Sequence, residues 1–258
     1  MRLQAVIFDF DGVIADTEPL HLAALQRVLT ERNLLLTREE YFDRYLGYDD
    51  ATLLAELLRD RGLTMAPEHC RAVLAEKARQ YRHLIADSPP TIPGVADRIR
   101  AWSARVPIAV ASGALREEIE EMLTRAGVTT CVRVIVAAGE VASGKPAPDP
   151  YRRAVELLET ERRRSGCRSA VGVPAAQRHG PEAAADPIDP ARCVAIEDSR
   201  WGIESARAAG LRTVAVTTSY RASALTGADL VVEGVMALDL GQLERLCTTV
   251  APRGATGR

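Results

Sequence analysis

Two carboxylates directly after an apolar run are the first residues with the types and spacing for chemistry. Asp9 and Asp11 follow the run Val6–Phe8, and Gly12 comes next. Side chains two residues apart on an extended chain project to one side, so both acids can face one site if the strand persists through Asp11. Gly12 permits a sharp change of backbone direction there. Buried acids need a positive partner, and Mg2+, which prefers oxygen ligands, is the expected one.

The same pattern, Asp-x-Asp-Gly, also occurs in surface turns and calcium-binding loops. A calcium loop needs further oxygen ligands at regular spacing and a late glutamate, whereas Val13, Ile14 and Ala15 follow here. A surface turn is disfavoured because the acids end a hydrophobic strand. Taken alone, this stretch favours catalysis only slightly over a structural role.

Other polar groups also stand where apolar strands end. Ser112 and Gly113 follow one such strand, and Glu197 and Asp198 end another. The Ser112 hydroxyl and nearby backbone N–H groups suit a phosphate oxygen, although an ordinary helix cap is the stronger explanation for this serine taken alone. Lys145 lies in a loop that three prolines stiffen. Ligands of open α/β sheets bind beyond the carboxyl ends of the strands, so these groups are expected at one edge.

Short apolar strands that alternate with helices predict a parallel sheet with helices on both faces, an α/β core. After the first strand, strands are predicted at Val106–Ala111, Val132–Val136, Cys193–Ile196, Arg212–Val216 and Asp229–Val232. Helices are predicted at Val95–Ala104, Leu115–Ala126, within Ala147–Glu159, Gly202–Ala209 and Asp239–Cys247.

Only helical signals occur between the first strand and about Ser88, which predicts a separate helical domain at residues 16–88. Residues 1–15 and 89–258 form the predicted core. Asp16 or Thr17 caps the first helix of the insert, and Gly47 marks a turn. Further helices are predicted at Arg38–Tyr45, Ala51–Arg61 and Pro67–Ile85. Segments 161–190 and 248–258 are predicted to be a surface insertion and a tail.

The composition of the chain argues against several classes of function. The chain has 258 residues, 47% hydrophobic and 26% charged, with a net charge of -2. This balance gives no electrostatic case for nucleic acid or an anionic membrane, and no apolar stretch has the length to span a bilayer. The first residues run straight into a strand, so no signal peptide is expected. Five widely spaced cysteines without a Cys-x-x-Cys motif indicate reduced thiols and a cytoplasmic protein.

Four ordered motifs resemble those of the haloacid dehalogenase-like hydrolase superfamily: Asp9-Phe10-Asp11-Gly12-Val13, Ser112, Lys145-Pro146 and Glu197-Asp198. The resemblance covers nearly the whole chain, apart from segment 161–190 and the tail. It implies a Rossmann-like core with an inserted all-helical cap domain. The chain is most similar to the beta-phosphoglucomutase and phosphoglycolate phosphatase-like branch.

The resemblance implies a reaction on a small phosphorylated metabolite. Asp9 attacks phosphorus to form an aspartyl-phosphate, and Asp11 exchanges protons with the leaving oxygen and with water. Lys145 and Ser112 steady the phosphoryl oxygens, with Gly12 and Gly113 as further phosphate-binding candidates. Positioning and charge neutralisation are most of what such a reaction requires.

The resemblance also implies a Mg2+ site and a set of substrate-binding residues. The Asp9 carboxylate, the Asp11 carbonyl and Asp198 hold the ion, and Glu197 is an outer or water-mediated partner. Cap closure is expected to exclude bulk water. The substrate candidates lie in the predicted cap: Thr17, His21, Tyr48, Asp49 and His83.

Several activities stay open. A phosphatase, as a monomer or weak homodimer, is favoured over a beta-phosphoglucomutase-type mutase. The mutases carry a cap arginine for the second phosphate where this chain has Asp49 and Asp50. Asp11 argues against a dehalogenase, which needs no general acid. Lys77 is the only cap lysine and lies mid-helix, which disfavours phosphonate hydrolysis. A non-catalytic phosphometabolite-binding protein is the remaining alternative.

Overall fold

The computed structural model describes residues 2–46, 48–87, 90–169 and 186–248. The chain divides into two compact units, one of Met1–Ile14 with Thr91–Arg258 and the other of Ala15–Pro90. The first unit contains the sheet, and the regular elements in the described part of the second unit are all helices. The predicted α/β Rossmann-like fold is confirmed.

The first unit is built on a parallel sheet of six strands in the order β3-β2-β1-β4-β5-β6. The strands are β1 (Ala5–Phe8), β2 (Ile108–Ala111), β3 (Val132–Val136), β4 (Cys193–Glu197), β5 (Arg212–Val216) and β6 (Leu230–Val232). Strand β1 lies at the centre, with Phe8 opposite Val110 of β2 and Ile196 of β4. These three strands are buried on both faces, as their continuous apolar sequences require.

The α-helices of the second unit come first in the chain, followed by those that cover the sheet. The second unit contains α1 (Glu18–Thr30), α2 (Arg38–Glu40), α3 (Asp50–Asp60) and α4 (Pro67–Asp87). The first unit contains α5 (Val95–Ser103), α6 (Arg116–Arg125), α7 (Asp149–Ser169), α8 (Arg200–Ala208) and α9 (Leu240–Thr248). Among the described residues, no helix combines the length and the apolar character that crossing a membrane needs.

The second unit has its own apolar core. Leu25 and Leu29 of α1 pack with Leu53 and Leu57 of α3, and all four are buried. Their spacing of four residues places each pair on one helix face. A capping box between Thr37 and Glu40 starts α2. The helix predicted over residues 38–45 becomes a π-helical turn at Tyr41–Tyr45, which nothing in the apolar pattern signals.

Helix α7 runs beyond its predicted end into the predicted 161–190 insertion. The Glu159 carboxylate forms ion pairs with Arg162 at 2.8 Å and with Arg163 at 2.6 Å. These partners lie three and four residues further along the chain, a spacing that favours a helix. Residues 161–169 are therefore helical, so the first part of the predicted surface insertion continues α7. Residues 170–185 and 249–258 and Gly47 lie outside the described residues, as does the side chain of Cys167. The other four cysteines carry free thiols.

Candidate active site

Asp9 is placed by the end of the central strand. Its N–H donates to the Ile196 carbonyl of β4 at 2.9 Å, which continues the parallel ladder one residue past β1. Its carboxylate oxygen Oδ1 accepts the Phe10 N–H at 2.7 Å. The residue is only 7% exposed, so its carboxylate carries the desolvation cost of a buried acid.

Lys145 joins Asp9 to a second acid. Its Nζ lies 2.8 Å from Asp9 Oδ1 and 2.6 Å from Glu197 Oε1 at the end of β4. Glu197 is fully buried and also accepts hydrogen bonds from the Tyr151 hydroxyl and, at 3.2 Å, from Ser199 Oγ. Tyr151 comes from α7, and its ring centroid lies 5.3 Å from the lysine Nζ. The ammonium is therefore held in place by groups from three separate parts of the chain.

Two glycines allow the acids to lie close to the backbone. A Cβ on Gly202 in the first turn of α8 would lie 1.9 Å from Glu197 Oε1. Gly12 has φ of 71°, and a Cβ there would lie 1.9 Å from Asp198 Oδ2. Asp198 also accepts a hydrogen bond from Ser219 Oγ. Glycine is needed at both positions because side chains would occupy the space of the carboxylates.

The three acids of the site carry more negative charge than the single ammonium of Lys145 can neutralise. Carboxylate oxygens of Asp9, Glu197 and Asp198 lie within 4.8 Å of one another. Burial, then the charge of Glu197, raises the pKa of Asp9 to about 8, and Asp11 adds to that effect. Burial and the charge of Asp9 raise the pKa of Asp198 well above its ordinary range. Burial alone would lower the pKa of Lys145, but Asp9 and Glu197 raise it overall.

An all-oxygen donor set with surplus negative charge suits a hard divalent cation such as Mg2+. This cluster is the only group of three or more such ligands in the parts of the chain that the structure describes. The site therefore combines a buried carboxylate, a fixed ammonium and cation ligands at the carboxyl edge of a parallel sheet.

Comparison with known proteins supports the family that the four sequence motifs resemble. The model of the haloacid dehalogenase-like hydrolases matches residues 3–210. The chain belongs to the haloacid dehalogenase-like hydrolase family. The resemblance in the four motifs is thereby confirmed.

This hydrolase is similar to two curated relatives and to a solved structure that contains a sugar bisphosphate. Fructose-1-phosphate phosphatase YqaB of Escherichia coli (strain K12) is 31% identical over 215 residues, covering 83% of this chain and 97% of that enzyme. Protein CbbY of Rhodobacter capsulatus is 31% identical over 229 residues, 85% of this chain and 88% of that protein. A crystal structure of mutant CbbY from Rhodobacter sphaeroides with xylulose-(1,5)bisphosphate is 27% identical, has a TM-score of 0.67 and covers 90% of this chain and 94% of that one. The named phosphatase relative supports a phosphatase.

Ser112 of this hydrolase lies at the same edge of the sheet. Phe8 pairs with Val110, so Ser112 stands two residues past the last pair, as Phe10 does. Its Oγ accepts the Ala114 N–H at 3.0 Å, and its side chain is buried. It is not the N-cap residue of α6, which is Leu115. The capping alternative for Ser112 is therefore wrong, and Gly113 follows it in an open position.

The substrate candidates in the helical unit have varied surroundings. Thr17 is the buried N-cap residue of α1 and makes no cap hydrogen bond through its side chain. Asp49 caps α3 through Oδ1, which accepts the N–H groups of residues 51 and 52 at 3.0 and 2.9 Å. Tyr48 and His83 are exposed. Asp49 thus has a structural role, whatever else it contacts.

His21 belongs to a partly buried polar cluster that the sequence did not reveal. Lys77 Nζ lies 2.6 Å from His21 Nδ1 and 2.7 Å from Asp50 Oδ2. The His21 ring stacks on Tyr81 with centroids 4.0 Å apart. Burial, then the charge of Lys77, lowers the pKa of His21 to about 3, so the imidazole is neutral. This cluster could not be predicted from the position of Lys77 in α4, because only the tertiary fold brings His21 of α1 and Asp50 of α3 next to that lysine.

Sequence reasoning also missed the groups that hold the two acids in the first unit. Tyr151 and Ser219 donate to Glu197 and Asp198, and Gly202 makes room for Glu197. The one available signal was Ser199, recognised as a candidate cap. It does cap α8 by accepting the Gly202 N–H at 3.1 Å.

Proposed function

We propose that this hydrolase is a Mg2+-dependent phosphatase that removes phosphate from a small phosphorylated sugar through an aspartyl-phosphate on Asp9. The observation that carries the proposal is the position of Lys145 between Asp9 and Glu197, beside the Asp198 carboxylate. A lysine fixed against a would-be nucleophile is suited to neutralising phosphoryl oxygens at the point of attack. The named activity of the YqaB relative supports the substrate class.

Mg2+ would be held by the Asp9 and Asp198 carboxylates and the Asp11 backbone carbonyl, with Glu197 as a water-mediated partner. Bound there, the ion would supply positive charge to the phosphoryl group and to the acids. The pKa values of Asp9 and Asp198 are raised by burial and then by the charge of neighbouring acids, and a cation between them would favour their charged forms. Ser219 and Gly12 support this role by orienting Asp198 and leaving space for its carboxylate.

In the first half of the reaction, an Asp9 oxygen bonds to phosphorus as the bond to the sugar oxygen breaks. Asp11 gives its proton to that leaving oxygen, so the sugar departs as a neutral alcohol. Lys145 and the Ser112 hydroxyl bind the phosphoryl oxygens and hold them in line for transfer. Gly113 adds a backbone donor at the same edge.

In the second half, Asp11 removes a proton from water while the water oxygen bonds to phosphorus. The acyl-phosphate bond breaks, which returns the Asp9 carboxylate and releases inorganic phosphate. Asp11 ends protonated, as it began, so atoms and charges balance over the cycle.

Substrate contacts by Thr17, His21, Tyr48, Asp49 and His83 are proposed on the resemblance alone. Replacing Tyr48 or His83, which are exposed, tests a direct role without disturbing a core. Each is expected to change KM for the preferred substrate and to leave the melting temperature within about 1 °C, as for a surface substitution.

The experiment is a screen of sugar phosphates, glycolate phosphate and nucleotides with Mg2+, each repeated in EDTA. The proposal predicts metal-dependent phosphate release that Asp9→Asn abolishes. Asp97→Asn is the matched control, because the Asp97 carboxylate is 81% exposed on α5. Turnover retained in Asp9→Asn, or absent from every phosphoester, contradicts the proposal. Conversion of beta-glucose 1-phosphate to the 6-phosphate would show a mutase instead.

A further inference from the structure

A second cavity lies at the opposite edge of the sheet from the acids. It has a volume of about 510 Å³ and is bordered by the residues that lead into the strands. Leu3 precedes β1, Pro107 precedes β2 and Arg192 precedes β4. Amino ends and carboxyl ends of parallel strands lie at opposite edges, so this cavity is separate from the site around Asp9. Its size is typical of small-molecule sites.

Arginines give this cavity a strong positive charge in a chain whose net charge is -2. Five of them line it: Arg2, Arg105, Arg133, Arg162 and Arg192. Arg162 is paired with Glu159. Within the described part of the chain, the other four form no ion pair with a carboxylate. The only acid in the lining, Glu161, pairs with Arg164 at 3.1 Å.

The surrounding contacts fix part of this cluster. Arg192 Nε donates to the Arg2 carbonyl at 3.0 Å, and the Gln4 N–H donates to the Arg192 carbonyl at 2.8 Å. The Asp189 N–H donates to Gln4 Oε1 at 2.8 Å. These bonds hold the segments before β1 and β4 against each other, so Arg2 and Arg192 are presented together and in a defined register.

The chemistry of the lining selects the ligand. A guanidinium group can donate two parallel hydrogen bonds to the oxygens of one phosphate. The positive charge of four such groups is greater than the negative charge of one monophosphate. A di- or triphosphate carries a matching charge. Leu3, Leu158 and Ile188 form an apolar floor of this cavity, and each keeps a small exposed part of its surface there. A flat apolar group attached to the phosphates, such as a nucleobase, would cover that surface.

We propose that this cavity binds a polyphosphate group, carried by a nucleoside triphosphate, at a site separate from the reaction centre. Arg2, Arg105, Arg133 and Arg192 hold the phosphates, and the apolar lining holds the base. The proposal does not depend on the identity of the phosphatase substrate.

The test is calorimetric titration of the full-length chain with ATP, tripolyphosphate and inorganic phosphate in EDTA. Arg105→Gln/Arg133→Gln removes two of the four unpaired charges. The matched control, Arg71→Gln/Arg152→Gln, removes two exposed arginines outside the cavity. We expect one ATP per chain and a Kd at least about tenfold higher in the cavity variant, as the loss of charge-assisted hydrogen bonds requires. The control and Asp9→Asn should bind as the wild type does.

The two sources of polyphosphate give different results. Tighter binding of ATP than of tripolyphosphate assigns the apolar lining to the base, whereas equal affinities assign the site to polyphosphate alone. If the double variant does not fold, each single variant is expected to raise Kd by about threefold, a share of the same effect. The proposal is overturned if the wild type binds neither probe in EDTA, or if cavity and control variants bind equally.

Discussion

Gly202→Ala should disrupt the active site without touching any reacting group. The added Cβ would lie 1.9 Å from Glu197 Oε1 and 2.0 Å from Oε2, so the carboxylate must move by about 1.5 Å to reach ordinary contact. Glu197 is fully buried, so its carboxylate can shift only by displacing packed neighbours. Movement therefore breaks its hydrogen bonds with Lys145 and Tyr151.

The size of the effect follows from those bonds. Hydrogen bonds to a charged group contribute about 1.5–3 kcal/mol each, so losing two lowers the free energy of unfolding by about 3–6 kcal/mol. Urea unfolding followed by circular dichroism measures this loss in EDTA. Gly234→Ala is the control, since a Cβ there meets nothing within 4 Å, and it should change stability by less than about 0.5 kcal/mol.

A double-mutant cycle decides whether Glu197 is the cause. Glu197→Asp shortens the acid by one carbon–carbon bond, about 1.5 Å, which is the displacement that Gly202→Ala demands. The double variant should be more stable than the sum of the single effects predicts, by about 0.5–3 kcal/mol. Additive effects, or a Gly202→Ala variant as stable as Gly234→Ala, would refute the contact between α8 and Glu197.

Three further predictions concern charge in the same cluster. Because the pKa of Asp9 is raised from 3.8 to about 8, the folded state retains a proton that the unfolded state releases. His21, whose pKa is lowered to about 3, has the opposite effect up to its ordinary pKa of 6.5. In EDTA, the unfolding free energy should therefore fall as pH rises from 6.5 to 8, and Mg2+ should flatten the decline. Rising stability over that range contradicts this. Lys145→Met leaves Asp9, Glu197 and Asp198 without their ammonium, so turnover should vanish and stability at pH 8 in EDTA should fall by about 3–5 kcal/mol in urea unfolding. Tyr151→Phe removes one donor to buried Glu197 and should cost about 1.5–3 kcal/mol of stability, and an unchanged urea midpoint would rule out that hydrogen bond.

The strands of the sheet were predictable because short runs of neighbouring residues determine them. Val6–Phe8 is apolar at every position, as a strand buried on both faces must be, and acids follow where such a strand ends. Glu197 and Asp198 repeat the arrangement after Cys193–Ile196. The α/β fold and the family therefore followed from strand ends, and the predicted edge of the sheet is where Asp9, Glu197 and Asp198 meet.

The partners of those acids were not predictable because no local pattern encodes them. Tyr151 contacts Glu197 across 46 positions of the chain, and Ser219 contacts Asp198 across 21. An apolar-faced helix favours a buried tyrosine at position 151 whether or not an acid lies nearby. The extension of α7 is different, since the pairs of Glu159 with Arg162 and Arg163 were visible in the sequence. Spacings of three and four residues place those side chains on one helix face, so the helix continues past Glu159.

The most direct test of the reaction is to find phosphate on Asp9. The enzyme is mixed with its preferred phosphoester and Mg2+, quenched in acid during turnover and reduced with borohydride. Reduction converts an aspartyl-phosphate into homoserine, and mass spectrometry of the peptide that contains residue 9 locates it. We expect homoserine at position 9, dependent on substrate and Mg2+. An unmodified Asp9 under conditions of active turnover, or homoserine at another aspartate, would contradict it.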